Sequence, residues 1–315
     1  MKRSASMVSL VKEYLSVRRR MGFDLDIAGD RLLAFGHFAD QAGHSGPVTF
    51  DLAVAWAQSP PCPSRLTSAW RLQTLRPFLQ YRAQFDDGTV IPPRGFFGST
   101  HRRLVPHIYT DQEIAKLLQA TDDLTPKGGL RPVTYRTLFG LLAATGLRIS
   151  EALHLRPEDI DLSHGVLMAH QTKFRKSRLL PLHPTVVAAL KDYSQIQQIK
   201  LGHQRTGAFF VSDRGTPLPY TTVVNTFATL RRRLAWSGRG GYPLPRIHDI
   251  RHTFICRRLL DRSRNDWSPD HITDILSVYI GHAKVSDTYW YMTATPELMT
   301  AIGQRFALFL KGGKQ

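Results

Sequence analysis

Apolar residues recur at helical spacing from the start of the chain. Leu10, Val11, Tyr14 and Leu15 begin a stripe that stops at Gly22, and Leu32, Leu33, Phe35 and Phe38 form a second. Ala53, Val54 and Trp56 predict a short third helix that ends before Pro60-Pro61-Cys62-Pro63. Leu66, Trp70, Leu72, Leu75 and Leu79 predict a longer fourth. Residues 1–85 therefore read as a small four-helix domain. From Asp86 to Pro106 the periodicity is lost among Asp87-Gly88, Pro92-Pro93, Gly95 and Gly98, and basic His101-Arg102-Arg103 follows. This composition predicts an interdomain linker over 86–106.

A second domain, 107–315, opens on Thr110-x-x-Glu113, a capping box in front of Ile114, Leu117 and Leu118. A helix carrying Leu138, Leu141, Leu142 and Ala143 stops at Thr145-Gly146, where glycine can take the left-handed conformation and turn the chain onto Leu147-Arg148. After Pro157 the period shortens. Ile160 and Leu162, then Val166-Leu167-Met168, then Leu179-Leu180 and Leu182 predict short strands, with the hairpin tip in Thr172-Lys173-Phe174-Arg175-Lys176. Helices return from about His248 to Leu260, from Ser268-Pro269-Asp270 to Gly281, and after a Ser286 cap. A last helix starts at Thr295-Pro296-Glu297. The fold class is mainly α with a small antiparallel β-sheet (α+β).

Composition narrows the class of partner. The 315 residues are 42% hydrophobic, enough for an ordinary core in each of two domains. Forty-two Lys and Arg against 25 Asp and Glu give a formal net charge of +17. The excess is about +6 before position 105 and about +11 after it, so both halves could meet one polyanion. Nucleic acid leads, and an anionic membrane surface is second. No run reaches membrane-spanning length, and charged Lys12 and Glu13 interrupt the N-terminal segment as no signal peptide allows. Cys62 and Cys256 form no metal-ligand pair and no disulfide framework. A soluble, cytoplasmic protein is expected.

The densest candidate for chemistry is His248-Asp249-Ile250-Arg251-His252. On a helix, His248, Arg251 and His252 share one face. One reading is a zinc pair, His248 and His252, with Asp249 where a metalloprotease would have glutamate and no third ligand singled out by spacing. The other sets His248 and Arg251 on a phosphate, the guanidinium donating to nonbridging oxygens. Arg148, after the glycine-closed turn, suits the second task, as does Lys173 at the hairpin tip. Taken singly, Arg148 could equally pair with Glu151, and a hairpin lysine is commonly solvated.

Taken in order, A-A-T-G-L-R-I-S-E-A-L at 143–153, a hairpin with Lys173, H-D-I-R-H-T-F at 248–254, Y-I-G-H at 279–282 and Tyr291 nine residues beyond resemble the tyrosine recombinase family, also called phage integrases. The resemblance covers about residues 107–310. It implies a tyrosine-recombinase catalytic domain behind a helical N-terminal core-binding domain. Residue by residue it implies Arg148, Lys173, His248, Arg251 and His282 as the catalytic set, with Tyr291 as nucleophile. Ile280 stands where the family usually has leucine, and Lys176 competes with Lys173 for the hairpin position.

The implied activity is site-specific recombination or integration of a mobile element. A tyrosine oxygen attacks a DNA phosphodiester, leaving a 3′-phosphotyrosyl link and a free 5′-hydroxyl that can later reverse the step on a new partner. Arg148, Arg251 and His282 would stabilise charge on the nonbridging oxygens, the work a divalent metal does elsewhere, so neither metal, cofactor nor ATP is expected. His248 would be the base for the tyrosine, and Lys173 the acid for the leaving oxygen. The implied partners are double-stranded DNA and three further copies of the chain in a tetramer on paired sites, with sister recombinases or accessory proteins possible; no membrane partner is implied. A type IB-like topoisomerase and a non-cleaving DNA-binding relative are the alternatives. Within D-T-Y-W-Y-M-T, Tyr289 and Tyr291 differ in helical direction by about 200°, so only one can face the phosphate. Tyr289 and Trp290 are expected to pack the short helix against its domain.

Overall fold

The structure is a computed structural model describing residues 6–60, 64–100, 104–172, 176–202, 207–263, 269–282 and 284–294. The chain divides into two compact units, Met1–Arg103 and Leu104–Gln315.

In the first unit the predicted stripes become helices α1 (Met7–Arg20), α2 (Asp26–Gln41), α3 (Phe50–Gln58) and α4 (Arg65–Arg82). Ser6, Thr49 and Ser64 cap α1, α3 and α4, each side chain accepting from a backbone N–H three residues on. Their apolar faces meet in an aromatic core, with Tyr14 edge-on to Phe78 at 5.6 Å and Phe35 edge-on to Trp56 at 5.3 Å. Residues 86–100 depart from the linker reading, since they fold back onto this unit. Val90 N–H donates to the Val48 carbonyl at 2.9 Å. Arg65, Trp70 and Arg76 of α4 donate to the carbonyls of Phe97, Thr100 and Pro92. A Pro- and Gly-rich segment cannot use its carbonyls in a helix, so side chains of a neighbouring helix take them.

The second unit begins with α5 (Asp111–Ala120), where the Thr110/Glu113 capping box forms as expected. Helix α6 (Arg131–Thr145) is the central element, burying Leu138, Phe139, Leu141 and Leu142. It ends at Gly146, φ 65°, and a short α7 (Ile149–Leu153) follows. Strands β1 (Ile160–Asp161), β2 (Val166–Thr172) and β3 (Lys176–Pro181) form one antiparallel sheet in the order β1-β2-β3. Leu167 pairs with Leu180, and Ala169 with Arg178. Two helices that the periodicity did not single out, α8 (Pro184–Leu201) and α9 (Tyr220–Arg233), pack Leu190, Tyr193, Val223 and Phe227 into the α6 core.

Helices α10 (His248–Ser263), α11 (Pro269–Ile280) and α12 (Ser286–Ala294) form a separate cluster built on Phe254, Ile255, Leu259, Ile272, Leu276, Ile280 and Tyr291. The expected final helix from Thr295 lies outside the described residues, as does Lys173. Among the described residues, no helix is long and apolar enough to cross a membrane.

Candidate active site

The α6–α7 turn fixes the first site residue. A Cβ on Gly146 would stand 2.4 Å from the Phe254 ring, so both its positive φ and the close approach of α10 demand glycine. Two residues on, Arg148 N–H donates to Glu151 Oε2 at 3.0 Å, and its guanidinium donates to Glu151 Oε1 at 2.7 Å. The pairing with Glu151 that the sequence left open thus forms, but it is not the only contact: Arg148 also donates to the Gly281 carbonyl at 3.1 Å.

Glu151 holds a second arginine that sequence reasoning missed. Arg178 of β3 donates to both carboxylate oxygens, at 3.2 and 2.9 Å, and its Nε donates to the Tyr279 carbonyl at 2.7 Å. Burial opposes ionisation of Glu151, but Arg178 and then Arg148 outweigh it and hold the carboxyl below its ordinary value. Arg251 is 3% exposed and donates to the Gly146 and Ile280 carbonyls, both at 2.6 Å. Its pKa is pushed down to about 10 by burial and by Arg148. Three guanidiniums from three elements thereby bind the consecutive carbonyls of residues 279, 280 and 281. The C-terminal end of α11 carries partial negative charge, so cations gather there favourably.

That anchorage fixes the turn bearing His282, which shares a hydrogen bond of 2.8 Å between Nδ1 and Thr288 Oγ1 on α12. Burial, then Arg251 and Arg148, lowers the His282 pKa to about 4. The ring lies nearly parallel to that of Tyr291, at 15° with centroids 6.2 Å apart. Tyr291 is 4% exposed. Tyr289 is on the other face, exposed, with its hydroxyl donating to Asp270. The expected supporting pair is therefore split: Trp290 packs against the α10–α12 cluster, whereas Tyr289 is held by a surface hydrogen bond.

The partner of the Tyr291 hydroxyl is His252, whose Nδ1 lies 2.5 Å away. From the sequence, His252 is a candidate only for a zinc ligand, and the base for the tyrosine is His248. Burial, then the neighbouring His248, Arg246, Arg251 and His282, lowers the His252 pKa to about 2. His248 meets His252 edge-on at 4.7 Å. It is exposed on one side, and the surrounding protein with Arg251 and Arg246 lowers its pKa; water on the open side limits that shift. Among the described residues, no group of three or more His, Cys, Asp or Glu is placed to hold a metal ion.

Behind this face, Asp249 is fully buried and accepts from the Arg246 backbone N–H at 2.8 Å and from its guanidinium at 2.7 Å. The Thr253 hydroxyl donates to the Asp249 carbonyl and accepts from Tyr109 N–H, tying α10 to the segment that precedes α5. Arg148, Arg251, His248, His282 and Tyr291 are thus brought into one constellation, joined by Glu151 and His252, which the sequence offers only as an ion-pair partner and a zinc ligand, and by Arg178, which it does not single out.

Residues 108–297 match the phage integrase family. Two proteins of Sinorhizobium fredii (strain NBRC 101917 / NGR234) bearing the names integrase/recombinase y4rB and y4rE are 37% and 33% identical to the chain. The first alignment covers 92% of this chain and 93% of the relative, the second 96% of each. The tyrosine recombinase XerC of Thermodesulfovibrio yellowstonii (strain ATCC 51303 / DSM 11347 / YP87) is 26% identical over 72% of this chain and 71% of its own. Among solved structures, a Tn1549 transposon integrase in complex with a circular intermediate DNA shares the fold at a TM-score of 0.65 and 18% identity, over 96% of this chain and all of that one. The XerH site-specific recombinase bound to palindromic difH substrate does so at 0.64 and 17%, over 88% and 78%. The chain belongs to the phage integrase family, the tyrosine recombinases, and is an enzyme of site-specific DNA strand breakage and rejoining.

Proposed function

We propose that Tyr291 is the nucleophile of this recombinase and that Arg148, Arg251 and His282 receive the scissile phosphate. The observation that carries this reading is the convergence of α6, α10, α11 and α12 on one spot, with the Tyr291 ring beside His282 and the guanidiniums of Arg148 and Arg251 held on adjacent carbonyls of the same turn. Guanidiniums already oriented by backbone acceptors need little rearrangement as charge develops on the phosphoryl oxygens, which is how preorganised donors lower a barrier. His248, the exposed imidazole of the set, is the group an incoming phosphate reaches and the acceptor for the tyrosine proton. Lys173 on the β2–β3 hairpin is the acid that protonates the leaving 5′-oxygen.

The substrate is duplex DNA, gripped through phosphate contacts from both units, as the charge of +17 favours. Kinship to integrases and fold likeness to a transposon integrase support the integration or transposition of a mobile element as the natural event. Four protomers on paired sites, working in the cytoplasm, complete the reading. The deciding experiment maps covalent protein–DNA adducts on DNA flanking the gene, with nicked duplexes that trap the phosphotyrosyl link. An adduct at one phosphate, lost in Tyr291→Phe, is expected, together with recombinant joints between two labelled duplexes. An adduct that persists in Tyr291→Phe, or mapping of the DNA to Tyr289, removes the nucleophile assignment; relaxation without joints favours a topoisomerase.

A further inference from the structure

The Tyr291 phenol is buried, and its ring is flanked by two imidazoles of different kinds. His282 stacks on the ring face at 15° but spends its Nδ1 on Thr288. His252 is tilted 42° to the phenol, with ring centroids 5.4 Å apart, and puts its Nδ1 2.5 Å from the hydroxyl oxygen. It lies one helical turn beyond His248 on the same face of α10, so the helix that carries the phosphate-facing residues also reaches the nucleophile.

We propose that His252 is a positioning residue for the nucleophile: its Nδ1 accepts the Tyr291 O–H and aims the phenolic oxygen before attack, and on attack the O–H turns away and the proton passes to His248, not to His252. This rests on Tyr291 being the attacking residue. Three features of the site lead to it. The hydroxyl and Nδ1 are in direct contact, while His248 meets His252 with its ring edge and has the open face. His252 is enclosed by His248, Trp290 and Tyr291, with Trp290 edge-on to it at 6.4 Å, so the ring has little freedom to turn away. Its surroundings, dominated by burial and by Arg246, Arg251 and the other two histidines, keep it neutral, which leaves one ring nitrogen as an acceptor and makes it a poor sink for a phenol proton. An acceptor that never charges can hold the oxygen in one direction throughout the working pH range. Reaction between two groups in a site falls steeply when the attacking atom is misdirected by even about 1 Å.

The test uses the full chain on the nicked duplex that yields the covalent adduct, in single turnover with protein in excess. Binding is measured in parallel by mobility shift, and folding by thermal melting. His252→Leu fills the space without an acceptor, whereas His252→Asn offers an amide oxygen near the Nδ1 position. Leu is expected to slow adduct formation by about a hundredfold at unchanged DNA affinity, and Asn to restore it to within about fivefold of the parent with the same pH profile. A Leu variant that melts early is judged against Asn and Gln of equal stability, Gln being expected to fail because its oxygen extends past the Nδ1 position. Leu cleaving as fast as the parent makes His252 mere packing and ends the proposal. Asn as slow as Leu, or an acid limb displaced in Asn, points to proton transfer through the imidazole and ends it also. Tyr291→Phe runs alongside: an adduct there faults the nucleophile assignment and not the role of His252.

Discussion

At the residue scale the site is governed by one carboxylate. Glu151 has a side chain only 6% exposed and two guanidiniums on it, Arg148 at 26% and Arg178 at 10% exposure. Removing one partner of such a group leaves buried charge without compensation, which costs about 3–5 kcal/mol where burial is complete. Arg178 stands nearer that limit than Arg148. Glu151→Gln is therefore expected to lower the thermal melting point of the chain and to weaken phosphate binding through a freed Arg148; an unchanged melting point would show the pair to be ornamental. The histidines add a pH signature. The pKa of His282 is lowered to about 4 and that of His252 to about 2, from an ordinary 6.5, so between those values and 6.5 the unfolded chain binds more protons than the folded one. Their stability contribution is intact above about pH 6.5 and is lost as pH falls below it. The lowered Glu151 pKa acts in the same direction, below the ordinary carboxylate value. Melting points should drop steadily from pH 6.5 toward 4.5, and the drop should be shallower in His252→Asn; a flat profile in the parent would contradict the buried, neutral state of both rings.

At the scale of elements, the ends of helices do the positioning. Gly146 closes α6 and offers its carbonyl to Arg251 while α10 lies against it through Phe254. A methyl group there must displace a ring in the α10–α12 cluster and adopt a left-handed φ of 65°. Gly146→Ala is expected to cost roughly 1–3 kcal/mol by urea unfolding and to slow adduct formation, because Arg148 and Arg251 both register on this turn. Stability and rate equal to the parent's would count against that coupling. How far such features were legible depends on how local they are. The T-G-L-R turn, the hairpin strands and the Y-I-G-H step each sit in consecutive residues, so their spacing could be read directly. Arg178 could not be read, since K-S-R-L-L-P is an ordinary strand and its partners are 27 and 101 residues away. His252 was visible as the i+4 partner of His248, but its contact with Tyr291 spans 39 residues and three helices. Residues 86–100 have the composition of a linker, and distant partners, the Val48 carbonyl and the arginines and tryptophan of α4, decide that they fold back.

At the scale of the whole molecule, charge separates affinity from chemistry. The constellation spends its guanidiniums on carbonyls and one carboxylate, a handful of groups, whereas 42 Lys and Arg are spread over both units. Most of the binding free energy must then come from phosphates distant from Tyr291, released counterions supplying it irrespective of sequence. Phosphate contacts position the duplex, while base contacts and DNA shape select the site. It follows that duplexes with and without the recombination site should show nearly parallel plots of log affinity against log salt, differing in intercept. Six to ten such contacts would lower affinity by about 10³–10⁵ between 50 and 200 mM salt. Tyr291→Phe is the form to measure, since it keeps the charge and removes the hydroxyl proposed as the nucleophile. Titration of both duplexes by fluorescence anisotropy checks the prediction. A shallow slope on the site-bearing duplex would mean that base readout, and not the basic surface, holds the DNA against the arginines at the end of α11.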